Sequence, residues 1–148
     1  MIQKKFYALL LFASTLVATS CKDKEDPAPP ISPLVNVAAD MTGLQQVTPN
    51  QSKATGRFEG TYNTETREVS YTITYQGMTA TSGHFHQGAP GVEGGVKVFF
   101  PQFTSPIVGK AFLTEADGQN ILNGAFYTNL HSTQFPRGEI RGDIKVIP

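Results

Sequence analysis

The sequence predicts an all-β domain, a β-sandwich or Greek-key barrel. Apolar and polar residues alternate with period two along most of the chain, the mark of half-buried strands. The 14 glycines and 10 prolines punctuate these runs, as frequent turns require. No long stretch shows the 3.6-residue apolar period of an amphipathic helix. With 148 residues the chain has room for one domain.

The N-terminus reads as an export signal rather than as part of the fold. Lys4 and Lys5 precede an apolar run from Phe6 to Val17, followed by "ATSC". A basic start, a short apolar segment and small residues at its end make a secretory signal. A membrane span needs about 20 apolar residues, and this run is shorter. The sole cysteine, Cys21, falls where cleavage would expose it. Residues 1–20 therefore resemble a bacterial lipoprotein signal, which implies a lipid on Cys21 and attachment to a membrane. The following "KDKED" resembles the acidic export tag of surface lipoproteins, which implies the outer membrane and possible surface exposure. Residues 21–33 continue as a linker, with charges and four prolines that favour extended backbone.

Charge restricts the partners. The 12 basic and 12 acidic residues balance. Lys4 and Lys5 are the only charged residues before Cys21, so their removal leaves a net charge of −2. No basic patch suits nucleic acid. With no second cysteine, stability must come from a core, a metal, or both.

The domain, residues 34–148, then unfolds strand by strand. In "ATGRFEGTYN", Phe58 and Tyr62 share a face. In "REVSYTITYQG", Val69, Tyr71, Ile73 and Tyr75 oppose Ser70, Thr72, Thr74 and Gln76. "GGVKVFF" groups Val96, Val98 and Phe100, and Pro101 ends it. "VGKAFLTE" is a further strand, and "TEADGQNILNG" has room for a helix of a turn or two. "NGAFYTNLHS" sets Phe126, Thr128 and Leu130 against Tyr127, Asn129 and His131. "GEIRGDIKVI" sets Ile140, Ile144 and Val146 against Glu139, Arg141, Asp143 and Lys145. The glycine-rich "GAPGVEGG" lacks the Lys-Ser/Thr of a phosphate loop and reads as a mobile loop.

The three histidines of the chain occupy two of these segments. In "TSGHFHQGAPG", strand alternation points His84 and His86 to one side and Phe85 to the other. Phe85 is the core residue. By the same parity His131 projects with Tyr127 and Asn129, away from Phe126 and Leu130. If the two strands are near neighbours, all three imidazoles converge. Neutral imidazole is the commonest metal nitrogen donor, and three ligands with one open position is a catalytic-zinc arrangement. The alternative is that the histidines only hydrogen-bond loop backbone. Glu93, Glu139 and Asp143 are candidates for a fourth ligand. No nucleophile elbow, carboxylate pair or Ser-His-Asp arrangement is visible. In "RGEIRGD", Glu139, Arg141 and Asp143 share a face, where Arg–carboxylate pairs hold the strand surface. Arg141 could instead attract an anion to a nearby metal.

Taken in order, "TGLQQVTP", "ATGRFEGTYN", "VSYTITYQGM", "GHFHQGAPG", "LNGAFYTNLHS" and "FPRGEIRGDI" resemble the CHRD domain, repeated in chordin and found singly in bacterial exported proteins. The resemblance covers about Val35 to Ile147. It implies an immunoglobulin-like Greek-key β-sandwich with a distant likeness to copper/zinc superoxide dismutases. In those enzymes an H-x-H pair and a later histidine help hold copper, and an arginine guides the anion. His84, His86 and His131 would match the copper ligands and Arg141 the arginine, with Glu139, Tyr127 and Asn129 nearby. The bridging histidine, zinc ligands and disulfide of that family have no counterpart, so superoxide dismutase activity is not implied. The expected cofactor is one copper ion, with zinc second. Chordin works by binding other proteins, so the second expectation is a non-enzymatic module with a protein partner. The third is a structural envelope lipoprotein.

Overall fold

The computed structural model describes residues 32–148. The signal sequence, Cys21 and the linker up to Ile31 lie outside the described residues. Nine strands and one short α-helix follow in order, with a 3-10 turn at Gly43–Gln45: β1 (Leu34–Thr42), β2 (Thr55–Asn63), β3 (Glu68–Gln76), β4 (Ser82–Gln87), β5 (Gly95–Phe99), β6 (Ile107–Phe112), α1 (Glu115–Leu122), β7 (Phe126–His131), β8 (Ile140–Asp143) and β9 (Lys145–Val146). The helix falls where "TEADGQNILNG" allows one. Its N-cap Thr114 accepts a hydrogen bond from the Asp117 backbone N–H.

Pairing is antiparallel throughout, in the order β5-β4-β7-β8-β1-β2-β3-β6, with β9 on β1. Two four-stranded layers result. One is β5-β4-β7-β8 and the other β1-β2-β3-β6. They meet at the β1–β8 seam, where only Thr42 and Arg141 pair. The chain builds β1 to β3 in one layer, crosses for β4 and β5, and returns for β6. It crosses again for β7 and β8. The all-β sandwich expected from the alternation is therefore the fold observed.

The core lies between the layers and is aromatic at its centre. Phe58 of β2 meets Phe85 of β4 edge-on at 5.6 Å, and Tyr71 of β3 meets Phe85 at 4.9 Å. Phe100 and Phe126 pack on Phe85 from its own layer. Phe58, Phe85, Ile73, Phe126, Leu130, Ile140 and Ile144 are all inaccessible to solvent. Each such side chain contributes roughly 1.5–3 kcal/mol of burial. Burial also holds the Tyr71 hydroxyl proton, pushing its pKa up to about 12. Phe85, Phe126 and Leu130 therefore face inward as their parity predicts, which turns the histidines outward.

Val146 is 48% exposed although Ile140 and Ile144 are buried, and β5 departs from its pattern more sharply. Val98 and Phe100 pack inward, but Val96 does not. Opposite β4 the register shifts: Phe85 pairs with Val98 while His86 pairs with Val96. Lys97 is the extra residue of this β-bulge. The bulge frees Lys97 to reach Asp117 of α1 at 2.9 Å. It also turns Val96 onto the histidine side, opposite His86, where Phe99 already stands opposite His84 by plain alternation.

Candidate metal centre

The outer face of β4, β7 and β8 forms a grid whose rows follow from register. His84 lies opposite Asn129, which lies opposite Arg141. His86 lies opposite Tyr127, which lies opposite Asp143. Ser82 lies opposite His131. Asn129 thus occupies the middle of the grid, with His84 across, His86 on the diagonal and His131 two residues on. Glycine is required just before this pair. A Cβ on Gly83 would lie 2.5 Å from Leu130 and 2.6 Å from Phe100.

The three imidazoles converge. One ring nitrogen from each of His84, His86 and His131 lies within 4.8 Å of the others. The ring centroids of His84 are 5.5 Å from His86 and 5.1 Å from His131. Among the described residues, no carboxylate joins this group. Of the acids considered as a fourth ligand, Glu139 accepts a 2.6 Å hydrogen bond from Ser52 and Asp143 pairs with Arg141. Glu93 lines the adjoining cavity.

Hydrogen bonds select which nitrogens are free. His86 Nδ1 lies 2.9 Å from the Gly94 carbonyl, and His131 Nδ1 lies 3.0 Å from the Pro136 carbonyl. A carbonyl only accepts, so both Nδ1 atoms carry protons. In the neutral rings both Nε2 atoms are then lone-pair donors, and both point to the Asn129 amide at 3.1 Å. His84 Nδ1 is buried with no hydrogen-bond partner. Backbone carbonyls that fix the tautomer of an imidazole are the usual support of a metal-binding histidine. Three rings that each bring one nitrogen within 4.8 Å of the others, two of them with Nε2 lone pairs free, make a donor set a cation would satisfy, so these residues fit a metal ion.

Burial favours the neutral form of His84 and His131. Burial, then the neighbouring His131 and His86, lowers the His84 pKa from the usual 6.5 to about 4, against a raising contribution from Asn129. Burial also lowers His131, against the Pro136 carbonyl. A basic group with a lowered folded pKa binds its proton better in the unfolded chain. Its contribution to stability is full above about pH 6.5 and declines as pH falls to about 4. The metal-free domain is therefore expected to lose thermal stability across that window. Melting curves of the wild type and His84→Gln check this, and the variant should show a flatter pH profile.

The support around the rings is dense. Tyr127 stacks on His86 at 4.7 Å with only 4° between the rings. The Arg141 guanidinium sits 3.5 Å over the Tyr127 ring. Because β7 lies between β4 and β8, the order across the face is His86, Tyr127, Arg141. Arg141 is 1% exposed. Its Nε and Nη2 reach Asp143 at 2.9 and 2.8 Å. Its Nη1 and Nη2 also donate to the carbonyls of Val92 and Ala89. The strand surface is thus held by an Arg–carboxylate pair, and the guanidinium is engaged on all three nitrogens.

The same bonds tie down the loop read as mobile. Arg141 holds Ala89 and Val92, and Gly94 N–H donates to the Tyr127 hydroxyl at 3.1 Å. This is the loop whose Gly94 carbonyl fixes His86. A Cβ on Gly94 would collide with the Gln87 carbonyl oxygen. Glu139 does a similar task on the other side. Ser52 bonds its carboxylate, and Asn50 bonds its backbone carbonyl at 2.9 Å. Between these loops lies a cavity of about 510 Å³ bordered by His86, Asn129, His131, Arg137 and Arg141. On the opposite flank Phe99 covers His84 edge-on at 4.7 Å. The carbonyls of Gly94 and Pro136, the cover of Phe99 and the walls from Gln46 to Asn50 carry no side-chain motif that sequence reading could have found.

The model of the CHRD domain family matches residues 37–144, a span that holds all three histidines, Asn129 and Arg141. No curated protein and no solved structure matches the chain significantly. The alternating strands, the paired histidines of β4, the "YTNLHS" of β7 and the "GEIRG" approach to β8 are thus parts of one recognised unit, and the chain belongs to the CHRD domain family.

Proposed function

We propose that this CHRD domain binds one transition-metal ion through His84 Nδ1, His86 Nε2 and His131 Nε2. The observation that carries the proposal is the convergence of one ring nitrogen from each of the three histidines; carbonyl hydrogen bonds on two Nδ1 atoms and the unpartnered His84 Nδ1 support the choice of atoms. Copper is the first choice, because an imidazole set binds Cu(II) more tightly than other divalent first-row ions, and zinc is the second. A copper ion held there would supply one-electron chemistry or simple metal storage. The protein's own part is to hold three imidazoles oriented beside the cavity.

The same reading places the domain on the cell envelope, as an outer-membrane lipoprotein anchored through Cys21 and spaced by the proline-rich linker. Support comes from the basic-apolar-small order of residues 1–20. Metal analysis of protein purified from its native envelope, without a histidine tag, checks both parts. The expected result is near-stoichiometric copper or zinc in the membrane fraction. Metal-free protein would sink the metal assignment. Protein released without detergent would sink the anchor.

A second reading, a non-enzymatic protein-binding module, has its own observation. Val108 and Phe112 lie on one side of edge strand β6 and are 61% and 73% exposed. A sheet edge with exposed apolar side chains suits a protein partner. On this reading, alanine at all three histidines leaves partner binding intact.

A further inference from the structure

Three imidazoles leave one coordination position, and no acid among the described residues fills it. The side chain at the centre of the cluster is Asn129. It is 4% exposed, and its Oδ1 lies 3.1 Å from His86 Nε2 and 3.1 Å from His131 Nε2. Both nitrogens are lone-pair donors, because their Nδ1 atoms bond carbonyls. An oxygen that shares its position with two lone pairs has no proton to hold it there. With both rings neutral, two arrangements resolve the conflict. A cation can sit among the donors. Alternatively the amide can turn over, so that its two N–H groups serve the two Nε2 atoms.

The spacing bears on the first arrangement. With metal–nitrogen bonds of about 2.0–2.1 Å, neighbouring ligands of a tetrahedral centre stand about 3.4 Å apart, and of a square-planar one about 2.9 Å. The two 3.1 Å separations fall between these values. A separation of 3.1 Å is also an ordinary hydrogen-bond distance, so the spacing accommodates either arrangement. The backbone that carries the amide is set by register, while the amide itself can rotate about its terminal bond. Its strand neighbours on both sides are the grid partners His84 and Arg141.

We propose that Asn129 supplies the fourth donor of the metal centre through Oδ1. The inference rests on the three-histidine reading above. In the empty centre the amide turns over and its NH2 group bridges His86 and His131. One side chain then holds the rings apart when no ion is present and completes the set when one is.

The test is Cu(II) titration of the purified metal-free domain, with electron paramagnetic resonance of the loaded forms, on wild type, Asn129→Ala, Asn129→Asp and His131→Ala. Asn129→Ala is expected to weaken binding about 10-fold or more and to shift the copper hyperfine pattern. Asn129→Asp keeps the shape and offers a charged oxygen to the ion. It is expected to bind Cu(II) at least as tightly as wild type, with a spectrum distinct from both others. In the empty state it should melt lower than wild type, since a carboxylate has no N–H for the two Nε2 atoms. A residue that only positions the rings would be mimicked poorly by Asp, with affinity falling as for Ala, and that result overturns the proposal. Wild-type affinity with superimposable spectra in both Asn129 variants overturns it too. If wild type and His131→Ala both fail to bind Cu(II), the three-histidine reading itself falls and takes this one with it.

Discussion

His131→Ala is expected to lower Cu(II) affinity about 100-fold or more while leaving the fold intact. Loss of a group that only orients a ligand costs roughly 10–100-fold in metal affinity, and loss of the ligand itself costs more. Among the three histidines, His131 gives the clearest result. His86 is 8% exposed and stacked on Tyr127, so its removal also takes packing from the face. His84 is covered by Phe99. His131 stands at the end of β7, partly exposed, with its Nδ1 on the Pro136 carbonyl and its Nε2 on Asn129. Nothing in the core depends on it. Isothermal titration with Cu(II) and Zn(II), alongside thermal melting of the metal-free forms, separates binding from stability. An affinity within about threefold of wild type would remove His131 from the site.

The path from sequence to this centre was short where parity governed and absent where it did not. Alternation in "GHFH" and "AFYTNLH" assigns every side chain of β4 and β7 to a face, because one slip would bury the histidines and expose Phe85. That β4 and β7 are neighbours does not follow from parity, and it is their pairing that brings His131 to His84. The β5 pattern misleads for a local reason. A one-residue bulge at Lys97 reverses the parity between Val98 and Val96, and the sequence "GGVKVFF" carries no mark of it. Asn129 was visible as a neighbour of the histidines, yet its central position depends on register with both flanking strands. The supporting groups are mostly backbone carbonyls, at Gly94, Pro136, Ala89 and Val92, whose identity no side-chain motif records.

Arg141→Leu is expected to destabilise the domain by about 3–5 kcal/mol, the cost of removing one partner from a buried ion pair. The guanidinium is 1% exposed and Asp143 is 14% exposed, so the carboxylate would be left facing little water. Two loop carbonyls, Ala89 and Val92, would lose their donors as well. Arg141→Lys is expected to recover little of the loss. An ammonium has no planar fork to reach Asp143 and two carbonyls at once, and it stacks less well on Tyr127. The consequence for the centre is indirect but calculable in direction. Arg141 holds the loop that carries Gly94, Gly94 holds His86 Nδ1, and His86 presents Nε2 to the site. Loosening the loop frees the ring to rotate. Metal affinity of Arg141→Lys should therefore fall by about 10-fold, through His86 orientation rather than through lost charge. An arginine that instead recruits an anion would behave differently. Its lysine variant would keep metal affinity and melting temperature, and lose only the response of the copper spectrum to added azide or phosphate. Denaturant unfolding and Cu(II) titration of the same two variants distinguish these roles. The three hydrogen bonds and the ion-pair contact already made by the guanidinium argue for the clamp.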